Sequence, residues 1–389
     1  MARPRSRELF PTDAPVAPER LIGRQHDVAR LQTSLHNGVN QVVLGPRRTG
    51  KTSVCRAALT ALAERGTYVA SLDLFALATP AELAAELVAA CVANRGLLAR
   101  GSRRLRAAGR AARGLAGVTL SSSLQAELGQ DVEVAFSPAL AARDPERSLD
   151  YALGLPQRIA EKDDVQLVLF LDEFQEVAHP RKPFGDPDVL TKRMRAVLQD
   201  SPRVTTLFTG SVDHLMNDLF TPQHRAFFRY GETVRLPLVD DMAWMRGLAE
   251  RYAEDAVTVV PGALESLVER TGGHARSTML LAQQAHLALL ARGSRELDLA
   301  AVDEGFYAAL AADSAGHQSE TERLRDLGSA TLETAKRLAR RERPYSGSQS
   351  RQRVDTALAR LLDVGIVERL GRGDYVFTDP LLSHYLSRL

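Results

Sequence analysis

The chain has 389 residues, a length that excludes a single small module and predicts about two or three domains. Hydrophobic residues make up 44% and charged residues 25%, which is ordinary for a soluble globular protein and favours a folded, helix-dominated one rich in Ala, Leu and Arg. The formal net charge of +2 identifies no partner, because the distribution of charge along the chain matters more than its sum.

The first 20 residues are basic and rich in proline, without the apolar run of a secretion signal. We therefore expect a flexible N-terminal arm over residues 1–20. No later segment approaches about 18 uninterrupted apolar residues, which predicts a cytoplasmic protein that does not bind a membrane. Cys55 and Cys91 lie in apolar helical segments without a CxxC spacing or a nearby histidine, which predicts reduced core thiols rather than a zinc site.

Helices and strands alternate after this arm. Apolar residues at helical spacing predict a helix over 25–36, QVVL reads as a buried strand, and a helix up to Gly66 precedes the strand YVASLDL. Thr79 is a suitable N-cap for the next helix, and an Arg-rich helix with a possible hairpin forms a predicted insertion over about 95–137. A helix despite Pro156, the strand VQLVLFLDEF, a helix over 187–199 and the strands VTTLFTG and ETVRLPL complete a parallel α/β core over 21–238.

The second half of the chain has a different pattern. Residues 239–313 read as successive helices and predict a helical lid domain, which a polar linker over 314–320 follows. Two predicted helices and a hairpin around Gly371 then occupy residues 321–389. This order of elements is typical of a winged helix-turn-helix.

A phosphate-binding pattern occupies the turn after the first strand. Residues 45–52, GPRRTGKT, fit GxxxxGK[ST] at every position. In such a loop, backbone N–H groups surround the phosphates, glycines allow close approach, and the helix N-terminus adds about half a positive charge. An ordinary glycine-rich turn is the alternative, but the flanking strand and helix favour a nucleotide site. Its candidate residues are Gly45, Pro46, Arg47, Arg48, Thr49, Gly50, Lys51, Thr52 and Ser53.

Two acidic residues are candidates for binding the metal ion and orienting the attacking water. Asp172 ends the strand in LVLFLDEF and Glu173 follows at once. Lys51 would bind the β- and γ-phosphates, Thr52 and Asp172 would hold Mg²⁺, and Glu173 would orient the attacking water. An Asp-Glu pair alone often marks only a helix start, but phosphoryl transfer needs both a phosphate loop and a metal-binding carboxylate.

Two further positions are catalytic candidates. If the strand LFTGS lies between the strands that precede Lys51 and contain Asp172, Thr209 or Ser211 would contact the γ-phosphate or the water, although capping of the strand end is an equal alternative. Arg229 would stabilise transition-state charge from its own chain or from a neighbouring subunit, and a solvated surface arginine is its alternative. A GTPase is not favoured, because no NKxD motif follows the later strands.

Most of the chain resembles the AAA+-related STAND and archaeal-type ATPases, which are themselves similar to initiator ATPases of the Orc/Cdc6 type. The segments that carry the resemblance are LIGRQHDVARL, GPRRTGKTS, LFLDEFQEV, LFTGSVDHLMNDLF, TGGHARSTMLLAQ and GIVERLGRGDYVFTDPLLSHYLSRL. The resemblance implies an AAA+-like P-loop core, a helical lid, a C-terminal winged helix, and ATP with Mg²⁺ as cofactors.

The resemblance also assigns roles to individual residues. It places Ile22, Gly23 and Arg24 near the adenine, makes Ser211 the sensor after the fourth core strand, and starts the lid helix at Gly272 and Gly273. The family often has a proline shortly after these glycines, whereas this chain continues with His274, Ala275 and Arg276. Arg276 is therefore the candidate for a lid contact to the nucleotide.

Two functions are compatible with these motifs. The first is a Mg²⁺-dependent ATPase that works as a nucleotide-driven switch and moves the winged helix. The second is a DNA-binding scaffold or initiator-like protein whose ATP site sets conformation with little turnover. Arg351, Arg353 and Arg360 of the predicted recognition helix and the arginines of 95–113 favour double-stranded DNA, but Asp355 interrupts the basic face, so a protein partner or a homo-oligomer stays open.

Overall fold

The computed structural model describes residues 4–98, 145–178, 184, 186–210, 213–347, 349–371 and 373–389. Its helices are α1 Ser6–Leu9, α2 Gln25–His36, α3 Lys51–Glu64, α4 Pro80–Leu98, α5 Pro145–Asp163, α6 Pro187–Gln199, α7 Asp213–Phe220, α8 Asp241–Glu254, α9 Ala263–Thr271, α10 Ala275–Arg292, α11 Leu299–Ala312, α12 Ser314–Asp326, α13 Ser329–Ala339, α14 Arg351–Asp363 and α15 Pro380–Ser387. Its strands are β1 Gln41–Leu44, β2 Tyr68–Asp73, β3 Leu167–Asp172, β4 Val204–Thr209, β5 Glu232–Arg235, β6 Thr258–Val259, β7 Glu296–Leu297, β8 Val367–Gly371 and β9 Asp374–Phe377.

The chain folds into two compact units, which are described separately. The sheet unit comprises residues 27–44 and 54–235, and the helical unit comprises residues 1–26, 45–53 and 236–389. The phosphate loop, residues 45–53, therefore groups with the N-terminal segment and the C-terminal half, although β1 leads into it.

The sheet unit is built on five parallel strands in the order β2-β3-β4-β1-β5. β3 and β4 are buried along their whole length, because these continuous apolar and threonine-containing runs lie in the interior of the sheet. All carboxyl ends of parallel strands share one edge of the sheet, so the residues that end β1, β3 and β4 lie along that edge. The parallel sheet confirms the predicted α/β fold class, and α5 is helical with Pro156 inside it.

Residues 6–10 of the N-terminal segment pack into the helical unit, in contrast to the flexible arm predicted over residues 1–20. Leu9 and Phe10 are fully buried in the same core as Tyr252 of α8. Gln283 Nε2 donates a hydrogen bond of 2.9 Å to the Phe10 carbonyl oxygen, and Ser6 Oγ lies 2.9 Å from His286 Nδ1. Two adjacent apolar residues among charges and prolines form no periodic pattern, which explains why the sequence does not reveal this anchor.

The predicted linker over residues 314–320 is also wrong, because these residues form the first half of α12. His317, Thr321 and Leu324 form its buried face, and one leucine among polar residues is a weak sequence signal for a helix. The elements that follow are α13, α14 and the antiparallel pair of β8 and β9, in the predicted order of helix, helix and hairpin. Together with α12 and α15 they surround a separate small apolar core.

The predicted insertion over about 95–137 lies outside the described residues, apart from 95–98, which belong to α4. Thr79 caps α4 as expected, since its Oγ1 accepts a hydrogen bond of 3.2 Å from the Glu82 N–H. Cys55 and Cys91 are buried thiols outside any disulfide, and burial raises the pKa of the Cys91 thiol to about 12. Within the described ranges, every helix is too short or too polar to cross a membrane.

Candidate functional site

The phosphate loop connects β1 to α3 and has an unusual backbone conformation. Gly45 and Gly50 have φ values of 146° and 95°, which L side chains rarely adopt, and Arg48 has a left-handed φ of 63°. α3 begins at Lys51, so the loop ends at a helix N-terminus. The buried Lys51 Nζ donates hydrogen bonds to the carbonyl oxygens of Gly45, at 2.8 Å, and Pro46, at 2.6 Å. The loop therefore holds a positive charge against a turn suited to anions.

Residues of the N-terminal segment support this loop. The buried Arg24 donates from Nη2 to the carbonyl oxygens of Thr49, at 3.3 Å, and Pro237, at 2.8 Å. The Val16 N–H donates to Ser53 Oγ at 3.0 Å. Gly23 has a φ of 66°, and a Cβ atom there would lie 2.7 Å from a methyl carbon of Val239. The structure thus gives Arg24 a bracing contact with the loop, while its predicted place near an adenine stays a prediction.

The start of α10 also contacts the phosphate loop. His274 Nε2 lies 3.0 Å from the Arg47 carbonyl oxygen, and its Nδ1 lies 2.8 Å from Ser277 Oγ. A carbonyl oxygen only accepts, so Nε2 carries the proton and Nδ1 is the acceptor. Burial lowers the pKa of the His274 imidazole, which favours this neutral form. The Arg276 N–H then donates to the Arg48 carbonyl oxygen at 3.3 Å, so both arginines of the loop are held by the start of α10.

A charged cluster lies beside these contacts. Arg276 forms a two-pronged ion pair with Asp313, at 2.6 Å and 3.0 Å, and Arg48 Nη1 lies 4.0 Å from the same carboxylate. Burial alone would raise the pKa of the Asp313 carboxyl, but the hydrogen bonds and charge of Arg276 outweigh burial and hold that pKa below its ordinary value. The sequence named Arg276 as a lid contact, but neither His274 nor Asp313 stood out, since their partners are distant in sequence.

The carboxylate site of the sheet unit comprises Asp172, Glu173 and Thr209. Asp172 ends β3 and is 7% exposed, and its Oδ1 accepts hydrogen bonds from the Thr209 hydroxyl and, at 3.2 Å, from the Glu173 N–H. Glu173 has a left-handed φ of 54°, and its Oε2 accepts a hydrogen bond of 2.5 Å from Gln175 Nε2. Non-glycine residues with such φ values are uncommon and cluster at functional sites.

β4 lies between β1 and β3, which is the condition under which Thr209 was predicted to join the site. Val43 of β1 pairs with Thr209, whose side chain is fully buried and reaches Asp172 on the other side. A side chain at Gly210 would lie 2.6 Å from Gln175 Oε1, so glycine permits the close approach behind Thr209. Ser211, the predicted sensor, lies outside the described residues.

Arg229 is far from the carboxylate site within the sheet unit. It is exposed, its guanidinium lies 5.1 Å from the Phe228 ring centroid, and it precedes β5. Gln41 at the start of β1 pairs with Glu232 at the start of β5, so Arg229 approaches the amino edge of the sheet. Asp172 and Thr209 lie at the opposite, carboxyl edge. This arrangement disfavours a contact between Arg229 and a ligand at the carboxylate site of the same chain.

No protein-family model and no curated protein matches the chain, but solved structures do. A Walker-type ATPase of Pyrococcus abyssi superposes with a TM-score of 0.70 at 18% identity, over 98% of this chain and 100% of that one. The ORC2 protein of Aeropyrum pernix, in ADPNP-ADP complexes, gives a TM-score of 0.59 at 17% identity, over 98% and 96% of the two chains. Cdc6p of Pyrobaculum aerophilum gives 0.50 at 15% identity, over 98% and 97%.

The chain therefore has the fold of the AAA+ P-loop ATPases. Within that class, the similar structures are a Walker-type ATPase and proteins of the Orc/Cdc6 type, each matched over nearly its whole length. The resemblance inferred from the motifs is thus confirmed at the level of the fold.

Proposed function

We propose that the chain is a Mg²⁺-dependent ATPase that acts as a nucleotide-driven switch. One observation carries this proposal: β1 leads directly into the phosphate loop, and β3 ends in Asp172, directly before Glu173, at the same carboxyl edge of the sheet as the end of β1. The similar ORC2 protein was solved with ADPNP and ADP, which supports an adenine nucleotide as the ligand.

The residues fit a magnesium nucleotide. Magnesium prefers oxygen ligands, which the Thr52 hydroxyl and the Asp172 carboxylate would supply, and bound Mg²⁺ would neutralise charge on the β- and γ-phosphates. Lys51 would exchange the carbonyl oxygens of its own loop for phosphate oxygens. Thr209 would fix the orientation of Asp172, since its hydroxyl occupies Oδ1.

Glu173 would orient the water that attacks the γ-phosphorus, and the bond from that phosphorus to the β-γ bridging oxygen would break to give ADP and inorganic phosphate. Gln175 Nε2 now holds Glu173 Oε2, so the carboxylate would have to exchange this amide for the water. The left-handed backbone at Glu173 directs its side chain away from the regular path of β3.

A loss of binding tests the nucleotide site directly. Lys51→Ala should weaken ATP binding by about 100-fold or more, because it removes a buried cation from the phosphates. Titration of Mg²⁺-ATP by calorimetry measures this effect, with the exposed Lys192→Ala as the matched control. ATP binding of Lys51→Ala at wild-type affinity would refute the site.

Arg229 supports a further part of this proposal, an active homo-oligomer. Because Arg229 is exposed at the amino edge of its own sheet, we propose that it serves the nucleotide of a second copy. Arg229→Ala and Lys51→Ala should each be inactive alone, and their mixture should regain turnover, since the Arg229→Ala copy keeps Lys51 and the other copy keeps Arg229. A mixture that stays inactive, while wild-type turnover is independent of protein concentration, would contradict a shared site.

DNA binding with little turnover is the second candidate function. Arg351 and Arg353 are exposed on α14, whereas Arg360 donates to the Leu327 carbonyl oxygen, and Tyr345 Oη donates to Asp355 at 2.5 Å. The acidic residue on this face, Asp355, is therefore hydrogen-bonded to the Tyr345 hydroxyl. Anisotropy titration of duplex DNA at several salt concentrations tests this function: a steep salt slope that Arg351→Ala and Arg353→Ala reduce supports it, and no binding at low salt refutes it.

A further inference from the structure

Asp313 lies at the junction of two helices and has more than one possible partner. It caps the C-terminus of α11 and directly precedes α12, and its side chain is 15% exposed. Arg276 forms the two-pronged pair described above, and Arg48 of the phosphate loop lies at the edge of ion-pair distance. One carboxylate is therefore shared between the phosphate loop and the first turn of α10.

His317 is a second potential partner of the same carboxylate. It lies one turn further along α12, is 3% exposed, and has its Nε2 3.7 Å from Asp313 Oδ2. Neither ring nitrogen has a hydrogen-bond partner. Most buried polar atoms are hydrogen-bonded, so this imidazole is poised to accept a partner after a shift smaller than one ångström. Asp379 also faces the cluster, with a carboxylate oxygen 3.3 Å from Ser277 Oγ.

Arg276 is anchored to the phosphate loop independently of Asp313. Its backbone N–H donates to the Arg48 carbonyl oxygen, so its side chain starts beside the loop whichever anion it binds. The charge-assisted, two-pronged geometry of the Arg276–Asp313 pair is the same geometry that an arginine offers to a phosphate. The γ-phosphate of a nucleotide bound in this loop would therefore compete with Asp313 for one guanidinium.

We propose that Asp313 determines the preference between nucleoside tri- and diphosphates, by competing with the γ-phosphate for Arg276 and pairing with His317 when Arg276 is withdrawn. This inference rests on the nucleotide site proposed above. A diphosphate has no third phosphate and leaves the Arg276–Asp313 pair intact. The exchange of partners occurs where α12 begins, so it gives the C-terminal elements a signal of the phosphate number.

A metal ion is a less suitable occupant of this cluster. Ligand atoms of Asp313, His317 and Asp379 lie within 4.8 Å of one another. However, the guanidinium groups of Arg276 and Arg48 already neutralise Asp313 and would repel a cation. The same two groups favour an incoming anion.

Calorimetric titration of the full chain with Mg²⁺-ADP and with a non-hydrolysable Mg²⁺-ATP analogue tests the competition. Asp313→Asn should bind the triphosphate about 10-fold more tightly, within the range of typical coupling between sites, and should bind ADP within about 2-fold of wild type. Asp303→Asn is the control, because it makes the same chemical change in another Arg–Asp pair of the helical unit, between Arg270 and Asp303. It should leave both affinities unchanged.

A separate measurement tests whether Asp313 exchanges Arg276 for His317. The nucleotide titration in it uses wild-type protein only. In protein with ¹⁵N-labelled histidine, the His317 signals, identified by their absence in His317→Gln, should shift when the triphosphate analogue binds and stay unchanged with ADP. The inference is overturned if Asp313→Asn changes the affinities for the triphosphate analogue and for ADP equally, or changes neither. It is also overturned if the His317 signals stay unchanged when the triphosphate analogue binds. In both cases the nucleotide site stands. If wild-type protein binds neither nucleotide, both proposals fail.

Discussion

The sheet unit and the helical unit differ in the charged side chains that they bury, although each buries a carboxylate, such as Asp172 in the sheet unit and Asp255 in the helical unit. In the sheet unit, the buried acidic side chains are Asp172 and Glu176, at and just after the end of β3. Among the described residues, the buried arginines and histidines all belong to the helical unit, and they are Arg24, Arg251, Arg337, His274, His286 and His317. The buried charged side chains that the structure describes in the sheet unit are therefore carboxylates, whereas the helical unit also buries guanidinium and imidazole groups.

The largest effect should come from the anchor of the N-terminal segment. Phe10→Ala would remove a fully buried ring from the helical unit and should lower its free energy of unfolding by about 3–5 kcal/mol. Trp244, the single tryptophan, is buried in the same core, so its fluorescence during urea unfolding reports this unit. Phe75→Ala in the sheet unit is the control, because Phe75 is 67% exposed. An equal loss of unfolding free energy in Phe10→Ala and Phe75→Ala would contradict the proposed anchor.

A smaller effect is expected at the edge of the sheet unit. Thr209→Val keeps the shape of the side chain but removes the hydroxyl that fixes Asp172, and it should lower ATP turnover about 10- to 100-fold. Thr205→Val tests the same chemical change on the same strand, toward its amino end, and should leave turnover near wild type. The comparison is measured as released phosphate, and equal turnover in both variants would argue against Thr209 as a positioning residue.

Acid should lower the free energy of unfolding of the helical unit more than that of the sheet unit. Burial lowers the pKa of His274, His317 and His384, so each binds a proton less readily in the folded than in the unfolded chain. Their stabilising contribution is therefore present above the ordinary pKa near 6.5 and is lost as pH falls below it. Urea unfolding followed by Trp244 fluorescence should show lower stability at pH 5 than at pH 7, and His274→Gln should reduce the difference. A flat profile would contradict buried neutral histidines.

Local sequence predicts the sheet edge well because its chemistry follows strand ends. Asp172 and Thr209 each end a recognisable strand, and a parallel sheet brings such ends to one edge. The contacts of the helical unit are different, since His274 and the Arg47 carbonyl oxygen are 227 residues apart, and Ser6 and His286 are 280 apart. No local pattern marks such pairs.

The two arginines of the phosphate loop illustrate the same limit of local patterns. The motif permits any residue at positions 47 and 48, so the sequence provides no reason for arginine there. The structure gives Arg48 a nearby carboxylate, Asp313, and uses the carbonyl oxygens of both residues to hold the start of α10.

The proposed function requires ATP to bind at the phosphate loop and to be hydrolysed with the help of Glu173. The most direct measurement compares ATP affinity and phosphate release in wild type, Glu173→Gln and the exposed control Glu146→Gln. Glu173→Gln should keep ATP affinity within about 3-fold of wild type and lose about 100-fold or more in turnover, as expected for a group that acts on the attacking water. Unchanged turnover in Glu173→Gln would contradict this account.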